Sequence, residues 1–244
     1  MEMTKQYFAN IHRLLEEVLE TQSQAIDRAV TAVADTLKRG GMVYAFGTGH
    51  SHMLAEELFY RAGGLVKIYP ILDEPLMLHR NASRSSQVER LSGYAATLLD
   101  NGLAPTEKDL IFLFSNSGRN AVPVEMALEM KKRGVCTVCI TNLTQSEKAA
   151  SRHPSGMRLF EICDIVIDNR GADGDAAMDI GPYRCGPTST AIGAVILQAI
   201  VCGVVERLRQ RGVEPEVFRS SNVDGGDEVN RLLIERYRRE IPML

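Results

Sequence analysis

The sequence predicts an α/β protein with a parallel, doubly wound sheet covered by helices. Two observations carry this. Five short runs rich in β-branched and aromatic residues punctuate the middle of the chain, each near-continuously apolar, as strands buried on both faces are. Between them lie segments whose apolar residues recur at helical spacing, and strand–helix alternation of this kind builds parallel sheets.

In chain order, Met1 to Arg39 reads as one or two amphipathic helices, with Phe8, Ile11, Leu15 and Val18 at helical spacing. The first strand, "MVYAFG" (Met42 to Gly47), runs through "GTGHSH" (Gly47 to His52) into the helical "SHMLAEELFYRAG". "VKIYPIL" (Val66 to Leu72) and "DLIFLFS" (Asp109 to Ser115) are the second and third strands. The third ends in "SNSGRN" and enters "AVPVEMALEMKKRG", whose Lys-Lys-Arg-Gly suits a helix C-terminus. "VCTVCIT" (Val135 to Thr141) and "DIVIDN" (Asp164 to Asn169) complete the strands. Pro187 to Arg211 reads as a long helix, and Asp227 to Glu240 as a last one capped by Asp227. With no repeat or long linker, one domain over 1–244 is expected: helices over 1–40, an α/β core over 41–211, and a C-terminal loop and helix over 212–244.

Composition narrows the partners. Apolar residues make up 45% of the 244, enough for a sizeable core. A net charge of −3 without a basic stripe argues against nucleic acid. No leader pattern opens the chain, so export is not expected. The longest apolar run, Ala191 to Val205, falls short of the ~20 residues of a membrane span and reads as a buried helix, so no membrane partner is expected. Five cysteines, an odd number, suit a reducing cytoplasm. Cys136 and Cys139 form a C-x-x-C inside a strand, where odd spacing sends them to opposite faces, so they read as core residues.

Two loops carry more polar groups than a turn requires. "GTGHSH" and "SNSGRN" each leave a strand and enter a helix, at the strand ends where open α/β sheets bind ligands. Helix N-termini present unpaired N–H groups and the positive end of the macrodipole. A phosphate docks there, with hydroxyls from Ser51, Ser115 and Ser117 to donate and Gly118 to allow close approach. Arg119 either adds a charge-assisted bond or points to solvent. No lysine follows a G-x-x-x-x-G spacing, which excludes a P-loop, and "GTGHSH" lacks the third glycine of a dinucleotide fingerprint. Either loop alone is equally a capped helix start; the pair favours an anion site.

These residues resemble those of the sugar isomerase (SIS) domains. "SNSGRN" is similar to their S-x-S-G-x-T phosphosugar loop, with Asn120 where threonine is usual. "GTGHS" resembles their first glycine loop, and "TNLTQS" (Thr141 to Ser146) the T-N-x-x-x-S after their fourth strand. "GPTSTA" (Gly186 to Ala191) is similar to the start of the long helix in the isomerase domain of glucosamine-6-phosphate synthase, with Ala191 in place of a lysine. The resemblance runs from Met42 to Val205, and the overall pattern looks closest to phosphoheptose isomerase-like proteins. It implies a three-layer, flavodoxin-like fold with a five-stranded parallel sheet. It also implies a sugar phosphate ligand and a homodimer with shared sites, or a tetramer; no cofactor is expected. By the resemblance Ser115, Asn116, Ser117 and Asn120 hold the phosphate, with Gly118 and Arg119 in the same loop. Thr48, Gly49 and the Thr188–Ser189 backbone line the sugar, with His50 and Ser51 in the same glycine loop.

Isomerising an open-chain sugar phosphate needs a base beside the carbonyl and a group that opens the ring. Glu57, Glu56 and Glu74 are the candidate bases. "LAEEL" resembles the "FAEEL" of phosphoheptose isomerases, which matches Glu57 to their base, though the gap from the glycine loop is about one helical turn shorter here. Glu57 shares a helix face with Met53 and Tyr60, an apolar setting that would raise a carboxyl pKa. His79 and His52 are the ring-opening candidates; His12 and His153 read as surface residues. His52 and Glu56 stand i, i+4 but lack a third ligand of suitable spacing, so no metal is expected. The polar stretch Phe218 to Asn230 is either a loop or a second contributor to the sugar site through Ser220, Ser221 and Asn222. The expected function is an aldose–ketose isomerase. A lyase or dehydratase on an N-acetylamino sugar 6-phosphate, a non-catalytic phosphosugar regulator and, last, a scaffold are the other readings.

Overall fold

A computed structural model describes residues 1–100 and 102–244. The five apolar runs form β1 (Val43–Gly47), β2 (Ile68–Ile71), β3 (Leu110–Phe114), β4 (Cys136–Thr141) and β5 (Ile165–Asp168). They pair in parallel in the order β2-β1-β3-β4-β5. Alternate side chains enter different cores. Val43, Ala45, Leu110, Phe112, Val138, Ile140, Ile165 and Ile167 pack with α1 (Glu2–Lys38), α2 (His52–Leu58) and α8 (Ser189–Gln210). Tyr44, Phe46, Ile111, Leu113 and Cys139 pack with α4 (Tyr94–Asp100), α5 (Ala121–Lys132) and α7 (Leu159–Ile162). A one-residue slip would exchange these sets, so the two-sided burial pins the register. Cys136 packs on the first core and Cys139 lies in the second, on opposite faces of β4.

The N-terminal segment is one helix of 37 residues, not two, because no glycine or proline interrupts Glu2 to Lys38. Asp27 and Asp35 on α1 pair with Arg207 and, just beyond α8, Arg211. Glu17 accepts from Arg170 just beyond β5 (2.6 Å), and Arg170 also reaches the fully buried Asp168 (2.9 Å). α1 is thereby fastened to the strand end nearest the site. By length and composition alone α8 can cross a membrane. However, Ile192, Ile196, Leu197, Ile200 and Val204 on its inner face are buried in the first core, so here it is a core helix.

Two features differ from the sequence expectation. Between β5 and α8 the chain forms an antiparallel hairpin of β6 (Ala176–Ile180) and β7 (Tyr183–Pro187), separate from the main sheet. Its residues are half-buried or exposed, so no apolar run announces it. The last helix, α9 (Gly226–Tyr237), is capped by Gly225 at φ 76°, a left-handed position that suits glycine. Asp227 therefore sits in the first turn, where its charge favours the helix start, and does not supply the cap. The shorter helices α3 (Ala82–Val88) and α6 (Leu143–Lys148) lie in the connections after β2 and β4.

From β1 the chain turns outward to β2 and then crosses back to β3 on the other side. The order thus reverses between β1 and β3, which opens a crevice at their carboxyl ends.

Candidate functional site

The loop after β3 is held open from behind. Four successive carbonyls are occupied: Asn116 O accepts from Thr141 Oγ1 (3.2 Å) and Asn142 N (3.0 Å), and Ser117 O from Ser146 Oγ (2.9 Å). Gly118 O accepts from Leu159 N and Arg119 O from Arg152 N, both at 2.8 Å. The stretch "TNLTQS" thus acts as a brace. With the carbonyls drawn back and Val122 N held by Glu89 O (3.0 Å), the loop's own amides and the Ala121 N–H that opens α5 are what remains for a ligand. Gly118 is needed for this shape: its φ is 59°, and a Cβ there would lie 2.8 Å from Ser146 Oγ.

The loop's side chains divide into two kinds. Ser115 Oγ turns inward and accepts from Gly118 N (3.2 Å). Asn116 is fixed at both ends of its amide, donating to Gln145 Oε1 (2.9 Å) and accepting from Asn169 Nδ2 (2.8 Å). Asn120 does not cap α5; its Oδ1 accepts from Arg152 Nη1 (2.7 Å). Ser117 is half-buried at the loop tip, and its hydroxyl has no protein partner among the described residues.

On the β1 side, Gly47 is pressed against the loop it begins, since a Cβ would meet Ser51 O at 2.5 Å. Gly49 has φ 55° and opens a single 3-10 turn that carries the exposed His50 and half-buried Ser51. His52 is buried with Nδ1 on Gly49 O, so its ring pins the glycine loop. Its Nε2 lies 3.7 Å from Glu56 Oε2, and its ring centroid 6.5 Å from that of the exposed His79.

Two of the sequence-marked acids are held elsewhere. Glu57 pairs with Arg61 and accepts from Gln198 Nε2 (3.0 Å) on α8. The expected apolar surroundings are replaced by a guanidinium and an amide, and none of its partners belongs to either anion loop. Glu74 is exposed and paired with Arg80 (3.1 Å). The acid at the crevice is Glu89, just after α3. Its Oε2 accepts from Thr48 Oγ1 (2.7 Å), and its carbonyl accepts from Val122 N (3.0 Å) in the first turn of α5. One residue therefore touches both loops. No motif marks it; the only sequence signal is that it is the sole carboxylate between Glu74 and Asp100.

α8 opens at the same edge. Asp175, with φ 69°, accepts from the backbone N–H of Thr188 (2.9 Å) and Ser189 (2.8 Å) and from Ser189 Oγ (2.7 Å). An internal carboxylate thus satisfies the helix start that an anion would otherwise occupy. A narrow cleft of about 10 Å³ lies between the loops and α8, lined in part by Ser51, Ser115, Asn116, Asn169 and Ser189. The C-terminal polar stretch is not brought there: Asn230 brackets Arg219 (2.9 and 2.8 Å), and Phe218 pairs with the Gly63–Gly64 turn.

Comparison with known proteins agrees with this architecture. The SIS domain profile matches residues 6–142. A UPF0309 protein of Geobacillus thermodenitrificans is 44% identical over 99% of this chain and 98% of its own. Phosphoheptose isomerase GmhA from Neisseria gonorrhoeae shares the fold with TM-score 0.55 at 12% identity, over 84% of this chain and 98% of that one. The Vibrio vulnificus NanR protein complexed with ManNAc-6P does so with TM-score 0.52 at 18% identity, over 96% and 69%. With five parallel strands in this order, both serine- and glycine-rich loops at the crevice and a matching profile over more than half its length, the chain belongs to the SIS domain family.

Proposed function

We propose that the protein binds a sugar phosphate and abstracts a proton alpha to the carbonyl of its open-chain form, as an aldose–ketose isomerase. The observation that carries this is Glu89, whose side chain meets the β1 loop while its backbone meets the helix start after β3. In this reading the phosphate rests on the amides of the loop after β3 and on Ala121 N–H, with the Ser117 hydroxyl donating. Thr48 orients the Glu89 carboxylate, which takes the proton from C2 and returns it to C1. Ser51 and Ser189 face the sugar hydroxyls across the cleft. His52 and His79 are the ring-opening pair. The test is incubation with hexose, heptose and N-acetylhexosamine 6-phosphates in heavy water. Deuterium at C2 or C1 with one of them is expected, and none with any of them overturns the enzyme reading.

Two other outcomes have specific support. Loss of a substituent from the next carbon would make the protein a lyase, and the ManNAc-6P held by the Vibrio neighbour makes N-acetylamino sugar 6-phosphates the first class to try. Binding without turnover is favoured by the ion pairs that hold Glu57 and Glu74. It predicts tight phosphosugar binding that Glu89→Gln leaves unaltered. For assembly we propose a homodimer across the outward face of α8, where Ala191, Val195, Ala199 and Cys202 are exposed at helical spacing.

A further inference from the structure

Arg119 and Asn120 end the loop after β3, and two more arginines are folded against this end from distant parts of the chain. Arg152 donates through its backbone to Arg119 O (2.8 Å) and through Nη1 to Asn120 Oδ1 (2.7 Å). Arg90 directly follows Glu89, whose carbonyl is bonded to Val122 in the first turn of α5. The charges that act on Arg152 are those of Arg119, Arg90 and Glu89, so three guanidiniums stand against one carboxylate. That carboxylate is already engaged by Thr48. Partial loss of water around the otherwise exposed Arg152, followed by the Arg119 and Arg90 charges, holds it below the ordinary guanidinium value, with Glu89 opposing. Arg119 Nε is buried with no hydrogen-bond partner among the described residues.

Gathering like charges raises their energy, and a buried donor without an acceptor adds to it. An anion relieves both. A single phosphate on the loop amides and Ala121 N–H, with the Ser117 hydroxyl and one guanidinium, already has donors for its oxygens, so the remaining guanidiniums are in excess of it. We propose that Arg90, Arg119 and Arg152 form a second anion subsite bordering the phosphate loop, and that the ligand is a sugar phosphate with a second anionic group. That group is a carboxylate or another phosphoryl, both of which a guanidinium fork grips in two-point fashion. This rests on the phosphosugar reading above and narrows its substrate class.

The test is calorimetry on the intact protein at low ionic strength with glucose 6-phosphate, glucose 1,6-bisphosphate and 6-phosphogluconate. One of the two doubly anionic ligands is expected to bind about tenfold tighter or more than glucose 6-phosphate, and which one does so identifies the second group. In an Arg90→Gln/Arg152→Gln variant the ratio is expected to fall to about twofold or less. Should the double variant not fold, Arg90→Gln alone changes an exposed residue and is expected to reduce the ratio in the same direction. Equal affinity for all three, or an advantage that survives both substitutions, overturns the subsite and leaves phosphosugar binding intact. Heat from none of the three removes the phosphosugar reading and the subsite with it.

Discussion

The Thr48 hydroxyl donates to Glu89 Oε2 at 2.7 Å across 41 residues of sequence. A threonine at the end of β1 thereby aims a carboxylate into the crevice, and the first prediction follows from it. Glu89→Gln keeps the side-chain volume but removes the proton acceptor. Exchange at C2, followed by NMR in heavy water, is expected to slow about 10²–10⁴-fold while ligand affinity stays within a few-fold. Glu57→Gln, at a site tied to Arg61 and Gln198, is expected to slow it by less than about tenfold and to lower the melting temperature instead.

Ser117 is the loop hydroxyl left open to a ligand. Ser117→Ala is expected to weaken phosphosugar binding by about 1.5–3 kcal/mol, the range for a hydrogen bond to a charged group. Its melting temperature should match the parent's. Gly118→Ala is expected to lose both binding and stability, because φ 59° strains any Cβ and Ser146 Oγ lies 2.8 Å from it.

Asp175 caps α8 from a left-handed backbone position that aspartate and asparagine tolerate better than alanine does. Asp175→Ala is expected to cost about 2 kcal/mol or more in urea unfolding, and Asp175→Asn less.

Acid should weaken the fold in a definite window. The Arg170 hydrogen bond holds Glu17 below the ordinary value of 4.5. Arg158 pushes Glu161 down to about 2, first through its side chain and then through its backbone N–H. Carboxyls depressed in the folded state add stability above their unfolded pKa and lose it as pH falls through the folded one. The urea midpoint is therefore expected to decline from near pH 4.5 toward about pH 2. Glu17→Gln and Glu161→Gln should each flatten that decline.

Val195 stands 49% exposed on the outward face of α8. If that face joins two copies, Val195→Glu buries an unpaired charge there, and light scattering is expected to report monomer in place of dimer.

The sheet was readable in the sequence because strands covered on both sides must be apolar throughout, and β1 to β5 are. The two loops were readable because serines and glycines crowd the ends of such strands. The β6–β7 hairpin was not, since exposed strands such as "YRCGP" need no apolar pattern. Glu89 escaped because its meaning depends on α3 folding back over the glycine loop, and a helix of seven residues leaves little periodicity to read. Glu57 shows the opposite case: a local motif marks it, but Arg61 one turn on and Gln198 on another helix decide where its charge goes.

Because Asp175 already fills the amide-rich start of α8, that helix end is closed to an anion arriving at the crevice, which is left to the loop after β3. A molecule charged at a single terminus can settle there in only one direction, with its uncharged end swung toward Ser189. The mouth is polarised by its own chain, and orientation is decided before any hydroxyl is read.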